Sequence, residues 1–236
     1  MKKLIPFLLV MALLIPNAAF SYTFQDDFND GDLAGWTPKQ GDWSNEGDYL
    51  LSSSDNYGII WKDDSSGFDQ FFQVDAYFDS ASISKSARLF LRAGVADGLL
   101  NQYWDHGYEA IMKQNYVAIQ NHVMAGNQIL LGTATPTFSM GAWHTIAFEV
   151  SGLGTDTNLK MWVDGTLCLN VFDTSGSQHD DGGYIGLGSS NHLNRRINYD
   201  NAEGYVDVTP TPAPSAILLL GSGLLGLAGF RKKFKS

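Results

Sequence analysis

Short runs of alternating apolar and polar residues occur along much of the chain between residues 22 and 208. The clearest runs cover residues 72–78, 88–93 and 144–150. A period of two places neighbouring side chains on opposite faces of a β-strand, so each run predicts a strand with one buried face. The positions that this pattern assigns to the core are Phe72, Val74, Ala76, Phe78, Leu89, Leu91, Ala93, His144, Ile146, Phe148 and Val150.

Turn-forming residues separate these runs. Asp164-Gly165 lies between the strand-like stretches 159–163 and 166–172, which is the pattern of a two-residue β-hairpin. No segment between residues 22 and 208 carries a long helical repeat. About a dozen short strands separated by turns predict an all-β fold, a two-sheet jelly-roll sandwich.

The N-terminus has the three parts of a secretory signal peptide. A basic start, Met1-Lys2-Lys3, precedes an apolar run over residues 4–16, and Ala19-Phe20-Ser21 places small residues at both specificity positions of a cleavage site. The alternative is an uncleaved membrane anchor, but the run is shorter than the roughly 20 residues that a span requires. We expect residues 1–21 to be removed and the mature chain to begin at Tyr22.

The C-terminal segment, residues 209–236, has a different order of parts. A proline-rich segment covers residues 209–214, an uncharged run follows at 215–230, and the chain ends in basic residues. As a helix, the uncharged run would be about 24 Å long, slightly shorter than a hydrocarbon core of about 30 Å. The terminal cations favour the cytoplasmic side. A single transmembrane helix at about 215–230 is therefore predicted, and a core helix of a soluble domain is the alternative.

This tail resembles the PEP-CTERM sorting signal, which consists of a Pro-Glu-Pro-like motif, a short Gly-rich apolar helix and a basic end. The matching residues are Pro212, Pro214, Arg231, Lys232 and Lys233, with Ala213 in place of the glutamate. The resemblance implies an exosortase-type membrane protease as partner. It also implies export in a Gram-negative cell, membrane anchoring at first, and then a place on the cell surface or in an exopolysaccharide or biofilm matrix.

Charge and cysteine content narrow the possible partners of the domain at residues 22–208. This segment carries nine basic and 25 acidic residues, a net charge of −16, and such a surface repels nucleic acid. Cys168 is the only cysteine, so no intramolecular disulfide forms.

The same segment resembles the concanavalin A-like, laminin-G-like bacterial jelly rolls. The resemblance rests on QDDFNDGDLAGWTPKQGDWSNEGDYL at residues 25–50 and on GAWHTIAFEVSG followed by LKMWVDGTLCL at residues 141–169. It implies that Trp36 and Trp43 pack in the core. It also implies a possible structural Ca²⁺, for which Asp27 and Asp200 are candidate ligands if the first and last strands pair.

The residues give no sign of catalysis. Catalytic members of this fold superfamily carry Glu-x-Asp-x-Glu on one strand, whereas none of the four glutamates here begins or ends such a motif. We therefore expect a non-catalytic protein that binds carbohydrate, such as exopolysaccharide. A structural matrix protein without a small ligand is the alternative, and a glycosidase is a more distant one.

Aromatic rings stack on sugar faces, and planar polar groups bond to sugar hydroxyls. On that basis the predicted ligand-binding residues are Trp104, Tyr103, Tyr108, Trp61 and Arg92. Packing is an equally good interpretation for Trp104, and a structural salt bridge is the better one for Arg92, which the alternation places on the non-core face.

The first prediction concerns export. N-terminal sequencing of protein recovered from the producing cell should start near Tyr22, because the small residues before it are accepted by signal peptidase. A chain that still begins at Met1 would contradict cleavage and support the anchor.

Overall fold

A computed structural model describes residues 20–52, 57–78, 85–94, 106–123, 127–139, 141–190 and 197–208. Nearly all of them belong to one compact unit, Ser21–Val208. The described residues contain no helix long and apolar enough to cross a bilayer. Of the predicted signal peptide, residues 1–21, only the last two residues are described, and the sorting tail lies outside the described residues.

The described residues of this unit form fifteen strands and one 3₁₀ turn, Gly154–Asp156. The strands are β1 Phe20–Asp26, β2 Trp36–Gln40, β3 Trp43–Asn45, β4 Leu50–Ser52, β5 Tyr57–Lys62, β6 Asp69–Phe78, β7 Ser86–Gly94, β8 His106–Lys113, β9 Tyr116–Val123, β10 Asn127–Ala134, β11 Trp143–Ser151, β12 Asn158–Val163, β13 Thr166–Phe172, β14 Tyr184–Ser190 and β15 Ile197–Val208.

The strands form two sheets that face each other. One sheet has the order β13-β12-β11-β6-β15-β4-β3, with β1 also paired to β15, and the other has the order β10-β9-β8-β7-β14-β5-β2. The main hydrophobic core joins side chains from both sheets. The predicted all-β two-sheet sandwich is confirmed.

The alternation predicted for β6 and β11 is confirmed. Phe72, Val74, Ala76 and Phe78 are buried in the core, and so are the apolar residues of β11 that lie opposite them. Trp36 and Trp43 are also buried there, and the Trp36 indole N–H donates to Asp26 at 2.7 Å. The Asp164-Gly165 turn joins β12 to β13 with both residues at positive φ, as a type I′ hairpin requires.

The prediction for the end of β7 is wrong. Arg92 has φ +48°, and the β7–β8 register shifts between Leu91 and Gly94. A bulge of this kind reverses the faces of the residues that follow it. Ala93 therefore joins a small outer cluster with Trp61, while Arg92 turns inward and is fully buried.

The buried guanidinium of Arg92 holds several backbone segments together. It donates to the carbonyl oxygens of Phe68 at 2.5 Å, Gly152 at 2.5 Å and His179 at 3.2 Å. Burial lowers the pKa of Arg92, and the nearby acidic groups partly offset this effect. Arg92 is therefore a structural clamp, and its predicted role as a surface ligand for sugar is wrong.

The second prediction concerns this clamp. Arg92→Met should lower the free energy of unfolding of Ser21–Val208 by about 3–5 kcal/mol, because it leaves buried carbonyl groups without donors. Urea denaturation measures the change. Lys113→Met, at a partly exposed cation of the neighbouring strand β8, is the control and should cost less than about 1 kcal/mol. Equal losses in both variants would contradict the clamp.

Candidate functional site: a cavity at the end of strands β8 and β9

A cavity of about 710 Å³ lies where β8 begins and β9 ends. His106 of β8, Val123 of β9 and residues 177–181 line it. The loop that supplies residues 177–181 connects β13 to β14, so the cavity brings together segments about 70 residues apart in the chain. Its lining offers imidazole, carboxamide and carboxylate groups beside one apolar side chain.

Two imidazole rings stack in this cavity. The rings of His106 and His179 have centroids 5.4 Å apart with an interplanar angle of 28°, and Nε2 of His106 lies 3.6 Å from a carboxylate oxygen of Asp181. Burial, reinforced by the nearby charge of His106, lowers the pKa of His179 to about 4. His179 is therefore a neutral hydrogen-bonding group at neutral pH.

The tautomer of His179 selects its partner. Its Nε2 lies 3.1 Å from the backbone nitrogen of Gly107, which is a donor, and 2.8 Å from Oδ1 of Asn121, which is an acceptor. A proton on Nε2 satisfies Asn121, whereas a proton on Nδ1 leaves Nε2 to accept from Gly107. Both arrangements fix the ring against β8 and β9.

The fully buried carboxylate of Asp173 helps to position the loop that carries residues 177–181. Asp173 accepts from the hydroxyl of Tyr108 at 2.9 Å and from the side-chain amide of Asn121 at 2.7 Å, and its other oxygen accepts from the backbone N–H of Ser175. The Tyr108 ring meets the His179 ring edge-on at 4.9 Å. Burial and the charge of Asp173 raise the pKa of Tyr108. The network holds the loop in one position.

A second polar cluster lies on the outer face of the same sheet. Glu109 accepts from Arg88 at 2.5 Å, and its other oxygen lies 2.9 Å from Nε2 of His122. Burial of Glu109 raises its pKa, but the charge of Arg88 and the hydrogen bond to His122 outweigh that effect, and the net shift is downward. The guanidinium of Arg88 also lies over the ring of Tyr57, 4.9 Å from its centroid.

The structure assigns different roles to the predicted ligand residues. Tyr108 is fully buried in the core, so its prediction as a sugar-stacking ring is wrong; it supports the cavity loop instead. Trp61 is 3 % exposed and packs edge-on against Phe90. Both rings fit there because Gly186 and Gly188 of β14 have no side chain, and a Cβ at either position would clash with one of the rings. Its indole nitrogen has no hydrogen-bond partner in the described part of the chain. Tyr103 and Trp104 lie outside the described residues.

Sequence reasoning missed His106, His179 and Asp173. His106 belongs to the aromatic and polar stretch that contains Trp104, and the loop of His179 is a polar run between two strands. These two features were the only indications in the sequence that the histidines belong to a site. The pairing of β8 with β9 and the path of the β13–β14 loop bring these residues together, and spacing along the chain does not reveal either.

Of the candidate calcium ligands, Asp200 lies in β15 of the eight-stranded sheet and Asp27 directly follows β1. Strand β1 pairs with β15, as the calcium prediction requires. The pKa of Asp200 is raised by burial and by the charges of Asp75 and Asp27. Within the described ranges, no group of three or more His, Cys, Asp or Glu side chains has an arrangement that could hold a metal ion. Calcium at Asp27 and Asp200 stays a prediction.

The architecture places the domain among the jelly-roll sandwiches of the concanavalin A-like fold class. A Bacillus subtilis protein of unknown function with a galectin-like fold has a TM-score of 0.62 at 12% identity, over 79% of this chain and 96% of that one. The Bacillus subtilis carbohydrate-binding module CBM66 has a TM-score of 0.54 at 17% identity, over 71% and 93%. An endo-1,3-beta-glucanase from Streptomyces sioyaensis has a TM-score of 0.58 at 11% identity, over 83% and 99%.

The chain belongs to the family of the 3-keto-alpha-glucoside-1,2-lyase-like domain, whose model matches residues 23–203. The PEP-CTERM protein-sorting motif matches residues 210–233, which confirms the resemblance found in the tail. The motif marks an exported protein that is sorted through a membrane step. No curated protein matches the sequence.

The third prediction follows from the low pKa of His179. Between pH 6.5 and pH 4 the unfolded chain binds a proton at this residue that the folded chain does not bind, so stability falls as the pH falls. Lowering the pH from 7 to 5 should cost about 2 kcal/mol through this group.

Urea denaturation of Ser21–Val208 and of His179→Gln at both pH values measures the contribution. The variant should lose about 2 kcal/mol less than the wild type on acidification. Ser177→Ala, in the same loop and without a titratable group, should behave like the wild type. An unchanged pH dependence in His179→Gln would contradict the buried neutral imidazole.

Proposed function

We propose that this protein is an exported carbohydrate-binding protein that holds its glycan in the cavity formed by His106, Val123 and residues 177–181, and does not cleave it. The observation that carries the proposal is the lining of the cavity. Planar polar side chains surround it, and a buried network fixes the backbone behind them. Sugar hydroxyls bind to such groups when their geometry is set before binding.

The position of the cavity in the chain adds support. His106 lies two positions after Trp104 and three after Tyr103, which are two of the predicted ligand-binding residues. An aromatic face beside imidazole and carboxylate groups is the usual composition of a sugar site. The similarity to a carbohydrate-binding module is consistent with this use of the fold.

Two observations favour binding without glycosidic cleavage. Among the described strands of the seven-stranded sheet, Glu109 is the only acidic residue, whereas glycoside hydrolysis uses a pair of carboxylates. In the cavity itself, Asp180 accepts the backbone N–H of Gly154 at 2.8 Å, which leaves Asp181 as the carboxylate near the histidines.

The sorting tail supports a location for the protein outside the cytoplasm. An exosortase-type protease would process the tail, and the released domain would reside on the cell surface or in an exopolysaccharide matrix. A net charge of −16 on the domain suits a neutral or basic glycan better than an acidic one.

The fourth prediction tests the cavity. A glycan array on Ser21–Val208 should identify a ligand, and calorimetry should then show that His106→Ala weakens binding by about tenfold or more, the effect of removing one contact residue of a site. Trp104→Ala should weaken it by about 1–3 kcal/mol if the sequence prediction for that ring is right. Asp42→Ala, at an exposed aspartate of the β2–β3 turn, is the control and should leave binding unchanged.

Circular dichroism establishes that each variant is folded. Full affinity in folded His106→Ala would exclude the cavity as the binding site. No ligand on an array that includes bacterial exopolysaccharides would favour the structural matrix protein.

Elimination from a 3-keto-glycoside is the second candidate function, and the family match favours it. A 1,2-lyase removes the proton at C2 and expels the group at C1 with its bonding electrons. The ketone at C3 acidifies that proton, so a single base suffices and no carboxylate pair is required. The dyad of Glu109 and His122 at 2.9 Å is the arrangement of a base and its orienting carboxylate.

Incubation with 4-nitrophenyl 3-keto-α-glucoside distinguishes the two functions. Binding without cleavage predicts no release of nitrophenol above the rate without protein. Release that Glu109→Gln abolishes, and that Glu149→Gln on the other sheet does not, would establish the lyase and overturn our proposal.

A further inference from the structure

One side of the sandwich carries two strands that no described strand covers. Strand β13 ends the order of the eight-stranded sheet, and β10 ends the order of the seven-stranded sheet. A Cβ placed on Gly132 of β10 would lie 2.9 Å from a methyl group of Val171 on β13, so the two strands are neighbours. We call this side, Asn127–Ala134 and Thr166–Phe172, the open edge.

The open edge lacks the features that protect sheet edges from pairing. Neither strand contains a charged residue or a proline. The opposite side has both kinds of protection, because β2 contains Pro38 and Lys39 and β3 is only three residues long. Charged residues, prolines and short edge strands prevent edge-to-edge association of sheets. Their absence on one side only indicates that this side is available for pairing with another strand.

The side chains of the open edge are apolar and exposed. Leu130 is 55 % exposed, Leu167 is 48 % exposed and Phe172 is 58 % exposed. The rest of the domain is strongly acidic, with a net charge of −16. Two copies therefore repel each other over much of their surface, and a charge-free side is where they meet at the lowest electrostatic cost.

We propose that the open edge joins two copies of this chain by antiparallel pairing of β13 with the β13 of the second copy. A two-fold axis makes such an interface self-complementary, since each copy supplies the same strand. The pairing extends the eight-stranded sheet across the two copies and covers the exposed leucine and phenylalanine side chains.

The direction of the free backbone groups follows from one observed bond. The N–H of Asp173 donates to the carbonyl of Thr157 on the inner side. Backbone groups alternate sides along a strand, so the N–H of Asn170, three residues earlier, points away from β12. Proline at position 170 therefore removes a backbone hydrogen bond of the dimer without removing a backbone hydrogen bond of the monomer. The monomer loses only the exposed side-chain hydrogen bond that Asn170 accepts from Asn158 at 2.8 Å.

Sedimentation equilibrium of Ser21–Val208, the unit that contains the complete core, tests the proposal. The wild type should be a dimer, and Asn170→Pro should weaken dimerisation at least tenfold. Leu167→Lys is a second variant that places a cation on each copy at the interface, and it should have a similar effect. Leu153→Lys is the matched control at an equally exposed leucine, 47 % against 48 %, and should remain dimeric.

Cys168 provides an independent measure of the distance between the β13 strands of the two copies, because it lies next to Leu169, the central residue of β13. When two β13 strands pair about that centre, the two Cys168 residues are diagonal neighbours, about 7–8 Å apart. A short bis-maleimide, which each thiol alkylates, should then link the wild-type chains and fail to link Cys168→Ser. A monomeric wild type, a dimer that both variants retain, or a dimer that is not linked at Cys168 would overturn the proposal.

Discussion

The requirement that buried polar groups be paired governs the end of the sandwich that carries the cavity. Arg92 supplies donors to the carbonyl groups of Phe68, Gly152 and His179, which belong to three different connections. Asp173 supplies acceptors to Tyr108 and Asn121 on two adjacent strands. Each unpaired group would cost about 1–3 kcal/mol, so the two residues together hold the loops in one arrangement.

The cavity depends on that arrangement. His179 lines it only because Arg92 holds its carbonyl and Tyr108 packs against its ring. His106 and Asp181 are more exposed and are the groups available to a ligand. A rigid backbone with accessible polar side chains is suited to binding a neutral, hydroxyl-rich molecule, because little conformational entropy is lost on binding.

Charged residues are distributed unevenly over the outer surface of the domain. The domain is rich in acidic residues. Asp75 of β6 is even the direct cross-strand partner of Asp200 on the neighbouring strand β15. The neighbouring edge strands β10 and β13, however, carry no charged residue. The polar cavity, in contrast, opens at the ends of β8 and β9. The proposed glycan site and the proposed self-association edge therefore involve different residues of the same sandwich.

The sequence by itself determined the fold class, the core positions of β6 and β11, and the sorting tail. These features follow from local patterns: a period of two in β6 and β11, a type I′ turn at Asp164-Gly165, and the order of proline, apolar and basic segments. Only the tertiary structure decided the roles of Arg92, Tyr108 and His179. A single bulge reversed the face of Arg92, and the loop packed over Tyr108 turned a candidate surface ring into a buried support. Such contacts depend on strand register and on residues distant in the chain, and local periodicity carries no information about either.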